Sequence, residues 1–173
     1  MATSTGTIIR RTGVAVTAGL LAGLVGMGMP AAGAAALPGS AAALRASSSS
    51  GSCSKGGASI NFSAYYHNSS RYHVFTSFAW TIAGSGVHNK NNVQVRVKYD
   101  NARGHDPIYW TWISPDNIRK GRSTLNSGTR NGGNPVPASG VRVPKSKKAY
   151  TEFKAVFDKS GTDPRCTGHT RNI

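Results

Sequence analysis

The chain is poor in acidic residues, and this shortage argues against several kinds of catalysis. Only six Asp and Glu stand against 21 Lys and Arg, which gives a formal net charge of +15. Most of the acids fall in predicted turns, where an Asp carboxylate bonds to nearby backbone amides. A pair of carboxylates set for glycoside hydrolysis is therefore not expected, and the sequence has no Gly-x-Ser-x-Gly elbow. We predict a protein that is not an enzyme and needs no cofactor.

The chain also lacks an apolar run long enough to span a membrane. The longest run, residues 14–29, has 16 positions and stops at Pro30, whereas a spanning helix needs about 20 apolar residues. Arg10 and Arg11 precede the run, and the alanines at 34–36 follow it. This is the layout of a secretory signal peptide. We predict that residues 1–36 are removed and that a secreted, extracellular protein without a membrane span remains.

Residues 37–52 contain few of the large apolar side chains from which a core is built. They are mostly Ala, Ser and Gly, and such a stretch buries too little surface to offset its ordering entropy. We therefore predict a flexible N-terminal segment, which a later signal cleavage after Ala43 or Ala46 would shorten. Its one charged side chain is Arg45. With Leu44 and Ala46, Arg45 forms a candidate partner-binding site.

The two cysteines would need further Cys or His nearby to bind a metal, only His169 is close to Cys166 in the sequence, and they do not form a Cys-x-x-Cys redox pair. Cys53 and Cys166 instead bracket the region of strand-like sequence. Disulfides are common in exported proteins, and two cysteines have only one intramolecular pairing. We therefore predict a disulfide between Cys53 and Cys166 that holds the two ends of the domain together.

Residues 53–173 contain several short runs in which apolar and polar residues alternate, as they do in half-buried strands. No helical period is present after Ser50. We predict six or seven strands in an antiparallel β-sandwich of immunoglobulin-like layout, with a small open barrel as the alternative. Trp80, Trp110 and Trp112 are expected to supply bulk to the core.

The first predicted hairpin places two histidines near each other. Pairing His67 with His73 sets Ile60 opposite Trp80 and puts the apolar residues of both strands on one face. His67 and His73 would then face each other on the polar side as candidate metal ligands. Because no third ligand is evident, we predict no metal site and treat both as solvated histidines.

Positive charge is the most abundant chemical feature of the predicted domain. Three basic residues precede it, so the domain keeps the other 18 and all six acids. The candidate contacts for an anionic partner are Arg96, Lys98, Arg119, Lys120, Arg122 and Arg130. Nucleic acid is not expected because the basic residues are spread around the domain instead of along one groove. The alternative is that the charge only keeps the protein soluble.

The leader, rich in Ala, Gly and Arg, is similar to those of secreted actinomycete proteins. A small exported sandwich with an Arg-bearing head resembles in outline the adaptor subunit of the umbrella-shaped toxin particles of those bacteria. The resemblance implies that the segment around Arg45 enters a cleft of a lectin-bearing subunit while the body docks to the toxin chain. We accordingly expect a secreted protein-binding module, an adaptor or subunit of an extracellular toxin-type assembly.

Two other functions stay open from the sequence. One is a cationic module that binds anionic cell-surface polymers. The other is a small secreted protease inhibitor, with Arg45 or Arg130 as the residue offered to the protease.

Overall fold

The computed structural model describes residues 46–173, which form nine strands and no helix. The strands are β1 (Ser47–Lys55), β2 (Ala58–Asn68), β3 (Tyr72–Gly84), β4 (Asn92–Tyr99), β5 (Ile108–Ile113), β6 (Gly121–Asn126), β7 (Val141–Pro144), β8 (Ala149–Val156) and β9 (Arg165–His169). The predicted signal peptide, Leu44 and Arg45 lie outside the described residues. Within the described residues, no helix is long and apolar enough to cross a membrane.

The strands form two antiparallel sheets. In the first sheet the order is β1-β2-β3, with β6 and β7 both paired to β3; in the second sheet the order is β5-β4-β8-β9. Along β4 of the second sheet, Val93, Val95 and Val97 are buried and the residues between them are partly exposed. The first half of β2 alternates in the same way in the first sheet, so each sheet has an inner apolar face and an outer polar face. This is the sandwich-like arrangement of sheets that the alternating pattern predicts.

Aromatic rings from both sheets meet in the core. Phe62 of β2 stacks on Phe153 of β8 with ring centroids 3.9 Å apart, and Phe78 of β3 stacks on Trp110 of β5 at 5.4 Å. All four side chains are buried, as are the other two tryptophans. Such contacts add to the free energy gained by burying large apolar surfaces, and they fix how the two sheets face each other.

A disulfide joins the ends of the described chain. Cys53 of β1 is bonded to Cys166 of β9, with Cα atoms 5.9 Å apart and a sequence separation of 113, which confirms the predicted pairing. Glycines allow the close approach of the two strands: a Cβ on Gly168 would lie 2.7 Å from the carbonyl oxygen of Ser52. The bond therefore ties the first sheet to the second at one side of the sandwich.

The prediction of a flexible segment over residues 37–52 is wrong for residues 47–52, which belong to strand β1. Residues 47–52 are paired along the edge of β2, so β2 supplies backbone partners that the composition of this stretch does not reveal. Ser49 is buried, and its hydroxyl donates a hydrogen bond to the carbonyl oxygen of Arg171 at 3.0 Å. Ala46, just before the strand, is exposed.

The predicted register of the β2–β3 hairpin is wrong. His67 lies opposite Val74 instead of His73, and Ile60 lies opposite Ile82 instead of Trp80, with a bulge between Tyr65 and Tyr66. The bulge shifts the rest of the ladder by one residue. Beside the turn, His73 Nδ1 is 2.7 Å from the side-chain oxygen of Asn68, and this pair sets the end of the hairpin.

Candidate binding surfaces

A cluster of charges occupies the outer face of the second sheet. Glu152 of β8 lies opposite Arg96 of β4, and its carboxylate is 3.3 Å from Arg96, 3.3 Å from Lys98 and 3.7 Å from Lys154. We call these four residues the basic cluster. Three cations share one carboxylate, so the cluster keeps an excess of positive charge. Among the cations of the cluster, Lys154 is the most exposed: its side chain is 41% exposed, whereas that of Lys98 is 14% exposed.

Exposed apolar side chains lie beside this cluster, on the edge strand β5. Ile108, Tyr109 and Ile113 are 49%, 41% and 53% exposed, and they are the large hydrophobic residues exposed in the described part of the chain. We call them the β5 edge patch. An open groove of about 360 Å³ extends from Ile113 towards Lys154 and Arg165. Apolar and basic surface are therefore continuous here.

The backbone of β5 is already covered by a loop. The amide of Gly133 donates to the carbonyl oxygen of Ile113 at 3.2 Å, and the side-chain amide of Asn134 donates to the backbone carbonyl oxygen of Thr111 at 3.0 Å. The indole N–H of Trp112 donates to the carbonyl oxygen of Asn131 at 3.2 Å. A partner that approaches this edge therefore meets side chains and not a free row of backbone carbonyls.

The six basic residues predicted from the sequence do not form one patch. Arg96 and Lys98 belong to the basic cluster, where Glu152 balances part of their charge. Lys120 Nζ donates to the carbonyl oxygen of Gly84 at 2.7 Å, at one end of the first sheet. Arg119 and Arg122 are exposed close to Lys120 in the chain, and Arg130 is exposed in the loop after β6.

The two candidate metal ligands are not brought together. His67 is in register with Val74, so His67 and His73 point to opposite sides of the hairpin. Burial, with the charge of Lys145, lowers the pKa of His73, which is therefore neutral at pH 7. Residues 46–173 contain no group of three His, Cys, Asp or Glu side chains that is placed to hold a metal ion.

An acidic pocket of about 220 Å³ lies at one end of the second sheet, a feature that the sequence did not predict. Tyr150 donates its hydroxyl hydrogen to Asp106 at 2.5 Å, and Asn172 donates to Asp100 at 3.3 Å. The bond from Tyr150 lowers the pKa of Asp106, and burial raises the pKa of Tyr150. Tyr150 therefore keeps its proton at neutral pH and joins the loop after β4 to β8.

Comparisons of the chain with protein families, with curated proteins and with solved structures give no match.

Proposed function

We propose that the protein is a secreted, non-catalytic module that binds an acidic protein surface through the β5 edge patch and the basic cluster. The observation that carries the proposal is the position of Ile108, Tyr109 and Ile113, whose exposed side chains share one strand next to the cluster. Exposed apolar surface with a polar rim is typical of protein interaction sites.

The positive charges around the β5 edge patch favour an acidic partner. Besides the basic cluster, Arg165 lines the groove next to Ile113 and is exposed. Lys147 lies 4.9 Å from the ring centroid of Tyr99, which in turn packs against Tyr109 of the patch. An acidic partner would be steered and oriented by these cations, while the apolar side chains supply most of the buried area.

Docking through side chains fits this edge better than addition of a strand. The loop that contains Gly133 and Asn134 occupies the carbonyl oxygens of Ile113 and Thr111. Strand addition depends on free backbone groups, and at these two positions the groups are already bonded.

The resemblance to adaptor subunits of umbrella-shaped toxin particles supports an extension of the proposal. In such an assembly the segment around Arg45 would enter one partner, and the β5 edge patch would contact another. Membership of a toxin-type assembly is part of the proposal, as are secretion and the absence of catalysis.

The test is capture of proteins from the culture medium of the producing bacterium on the immobilised, disulfide-bonded protein. Four baits are compared: the wild type, the double variant I108S/I113S, K154Q, and R142Q. Arg142 is an exposed residue of β7 in the first sheet, so R142Q matches the charge change of K154Q at a distant site.

We expect one acidic protein to be retained by the wild type and R142Q, to be reduced with K154Q, and to be lost with I108S/I113S. Retention should persist between about 0.1 and 1 M salt, over which the Debye length falls from about 10 to about 3 Å. Equal capture by all four baits would contradict the proposal. Binding only to anionic polymer, lost at high salt, would favour the cationic module instead.

A further inference from the structure

The outer face of the first sheet carries twelve side chains in three rows that cross β1, β2, β3 and β6. The rows are Ser48, Tyr65, Ser77 and Asn126; Ser50, Ser63, Ala79 and Thr124; and Ser52, Asn61, Thr81 and Arg122. Ten of the twelve bear a hydroxyl or an amide, and only Arg122 is charged. This composition is unusual for an outer face in a chain whose net charge is +15.

The sizes of these side chains produce a groove. The middle row is small, from Ser50 to Thr124, whereas Tyr65 on one side and Asn61 and Arg122 on the other are larger. The resulting groove has a volume of about 520 Å³ and is lined by eight of the twelve residues, of which only Arg122 belongs to β6. It crosses four strands, and three strand spacings of about 4.8 Å give a length of about 14 Å. A short linear molecule fits this shape.

The lining favours a ligand with many hydroxyl groups. Each Ser hydroxyl both donates and accepts, and the amide of Asn61 offers two donors and an acceptor. Ser50 and Ser63 are paired to each other at 2.8 Å, which leaves part of their capacity for a ligand. The partly buried Tyr65 adds an aromatic ring at one end, on which the C–H face of a sugar ring packs.

Other ligand classes fit this groove less well. An apolar ligand would bury hydroxyl and amide groups without partners, which is costly. A polyanion such as nucleic acid takes its affinity from many phosphate contacts, and the twelve side chains include a single cation. Protein interface cores are enriched in aromatic residues and Arg and depleted in Ser, whereas Ser is the most frequent residue in these rows.

Arg122 determines which charged group on a ligand the groove can bind. Its side chain is exposed, lies opposite Thr81, and takes part in none of the ion pairs of the described residues. The planar guanidinium matches a carboxylate through two parallel hydrogen bonds. We infer that the groove binds a glycan in which neutral sugars alternate with a carboxylated sugar, whose carboxylate is held by Arg122.

The test is calorimetric titration of the disulfide-bonded protein with two tetrasaccharides of equal length. The hyaluronan tetrasaccharide alternates N-acetylglucosamine with glucuronate, and chitotetraose contains only N-acetylglucosamine. The variants are Arg122→Gln, Tyr65→Ser, Ser63→Gln to fill the middle row, and Arg142→Gln as the matched charge control on β7. Thermal melting of each variant establishes that it is folded.

We expect the wild type and the Arg142→Gln variant to bind the hyaluronan fragment alike. Arg122→Gln and Tyr65→Ser should each weaken binding by about tenfold or more, and Ser63→Gln should remove it. The inference is overturned if the wild type binds neither sugar at millimolar concentration, or binds chitotetraose equally well. Equal weakening by Arg122→Gln and Arg142→Gln would also overturn it, since binding would then follow overall charge. The groove lies on the sheet opposite the β5 edge patch, so this test does not depend on the proposed protein partner.

Discussion

The outer faces of the two sheets differ in the chemistry that they present to solvent. On the first sheet, serine, threonine and asparagine surround the single charge of Arg122. On the second sheet, Arg96, Lys98 and Lys154 share the carboxylate of Glu152, and exposed isoleucines flank them on β5. Both faces belong to one small domain, so overall charge alone does not describe what either of them binds.

We propose separate tasks for the two faces. Salt bridges and apolar edges suit a folded partner that excludes water from its interface, whereas a hydroxyl-rich groove suits a ligand that is itself covered with hydroxyls. The disulfide and the aromatic core hold the faces back to back. If this protein binds through both faces, it connects a protein partner at the second sheet to a glycan-bearing surface at the first sheet.

The largest expected effect comes from cutting the bond that ties the two sheets together. Reduction of Cys53–Cys166 releases a loop with a sequence separation of 113, for which chain-entropy estimates give about 4 to 5 kcal/mol. We expect dithiothreitol to lower the melting temperature by roughly 10 to 20 °C, and both faces to lose binding together on heating. Circular dichroism melts with and without reductant measure this. An unchanged melting temperature would show that the bond adds little to stability.

Shortening the chain at its N-terminus should affect the first face and spare the second. A protein that begins at residue 46 keeps β1, and we expect it to melt and bind like the longer chain. A protein that begins at Cys53 loses Ser48, Ser50 and Ser52 from the groove rows and most of the ladder with β2. We expect a lower melting temperature and loss of tetrasaccharide binding at temperatures where it remains folded.

Both truncated forms should still capture the protein partner through the β5 edge patch at temperatures where they remain folded. Full tetrasaccharide binding by the form that begins at Cys53 would show that β1 is not part of the groove. Loss of the partner from the form that begins at residue 46 would assign docking to the preceding segment instead of the patch.

The smallest expected effect is confined to the second sheet. Tyr150→Phe removes the hydrogen bond to Asp106, at a cost of about 1 kcal/mol near pH 7. That bond lowers the pKa of Asp106 in the folded state, so its contribution is present above the unfolded pKa of about 3.9 and is lost as pH falls through the folded value. Urea unfolding of wild type and variant from pH 7 to pH 2.5 should therefore show a difference that shrinks below about pH 4. Tetrasaccharide binding should be unchanged, and a constant difference across this range would contradict the assignment.

The sequence predicts the parts of the fold that depend on local patterns. Alternation in β2, β3, β4 and β8 identifies these strands because one face of each is buried. Alternation does not predict two of the strands, β1 and β9. β9 is only five residues long, with a glycine among them, and β1 is built largely of serine. Both are fixed by neighbouring strands and by the disulfide, which act between residues far apart in the chain.

The candidate surfaces are less predictable than the strands that carry them. The sequence from Ile108 to Ile113 predicts a strand with aromatic residues, and Trp110 and Trp112 are buried as expected. The exposure of Ile108 and Ile113 follows from the edge position of β5, and strand order is not encoded in the local pattern. The groove likewise depends on the register of four strands. The hairpin register predicted from alternation was off by one residue at the turn, and the bulge between Tyr65 and Tyr66 adds a second residue.

Under the proposed secretion, the bond between Cys53 and Cys166 would form only after export, because thiols stay reduced in the cytosol and oxidise outside it. Before that moment the domain is easier to unfold, and a loosely held polypeptide is the form that passes most readily through a narrow translocation channel. On that proposal, the bond that stabilises the finished domain would also delay its full stability until after export.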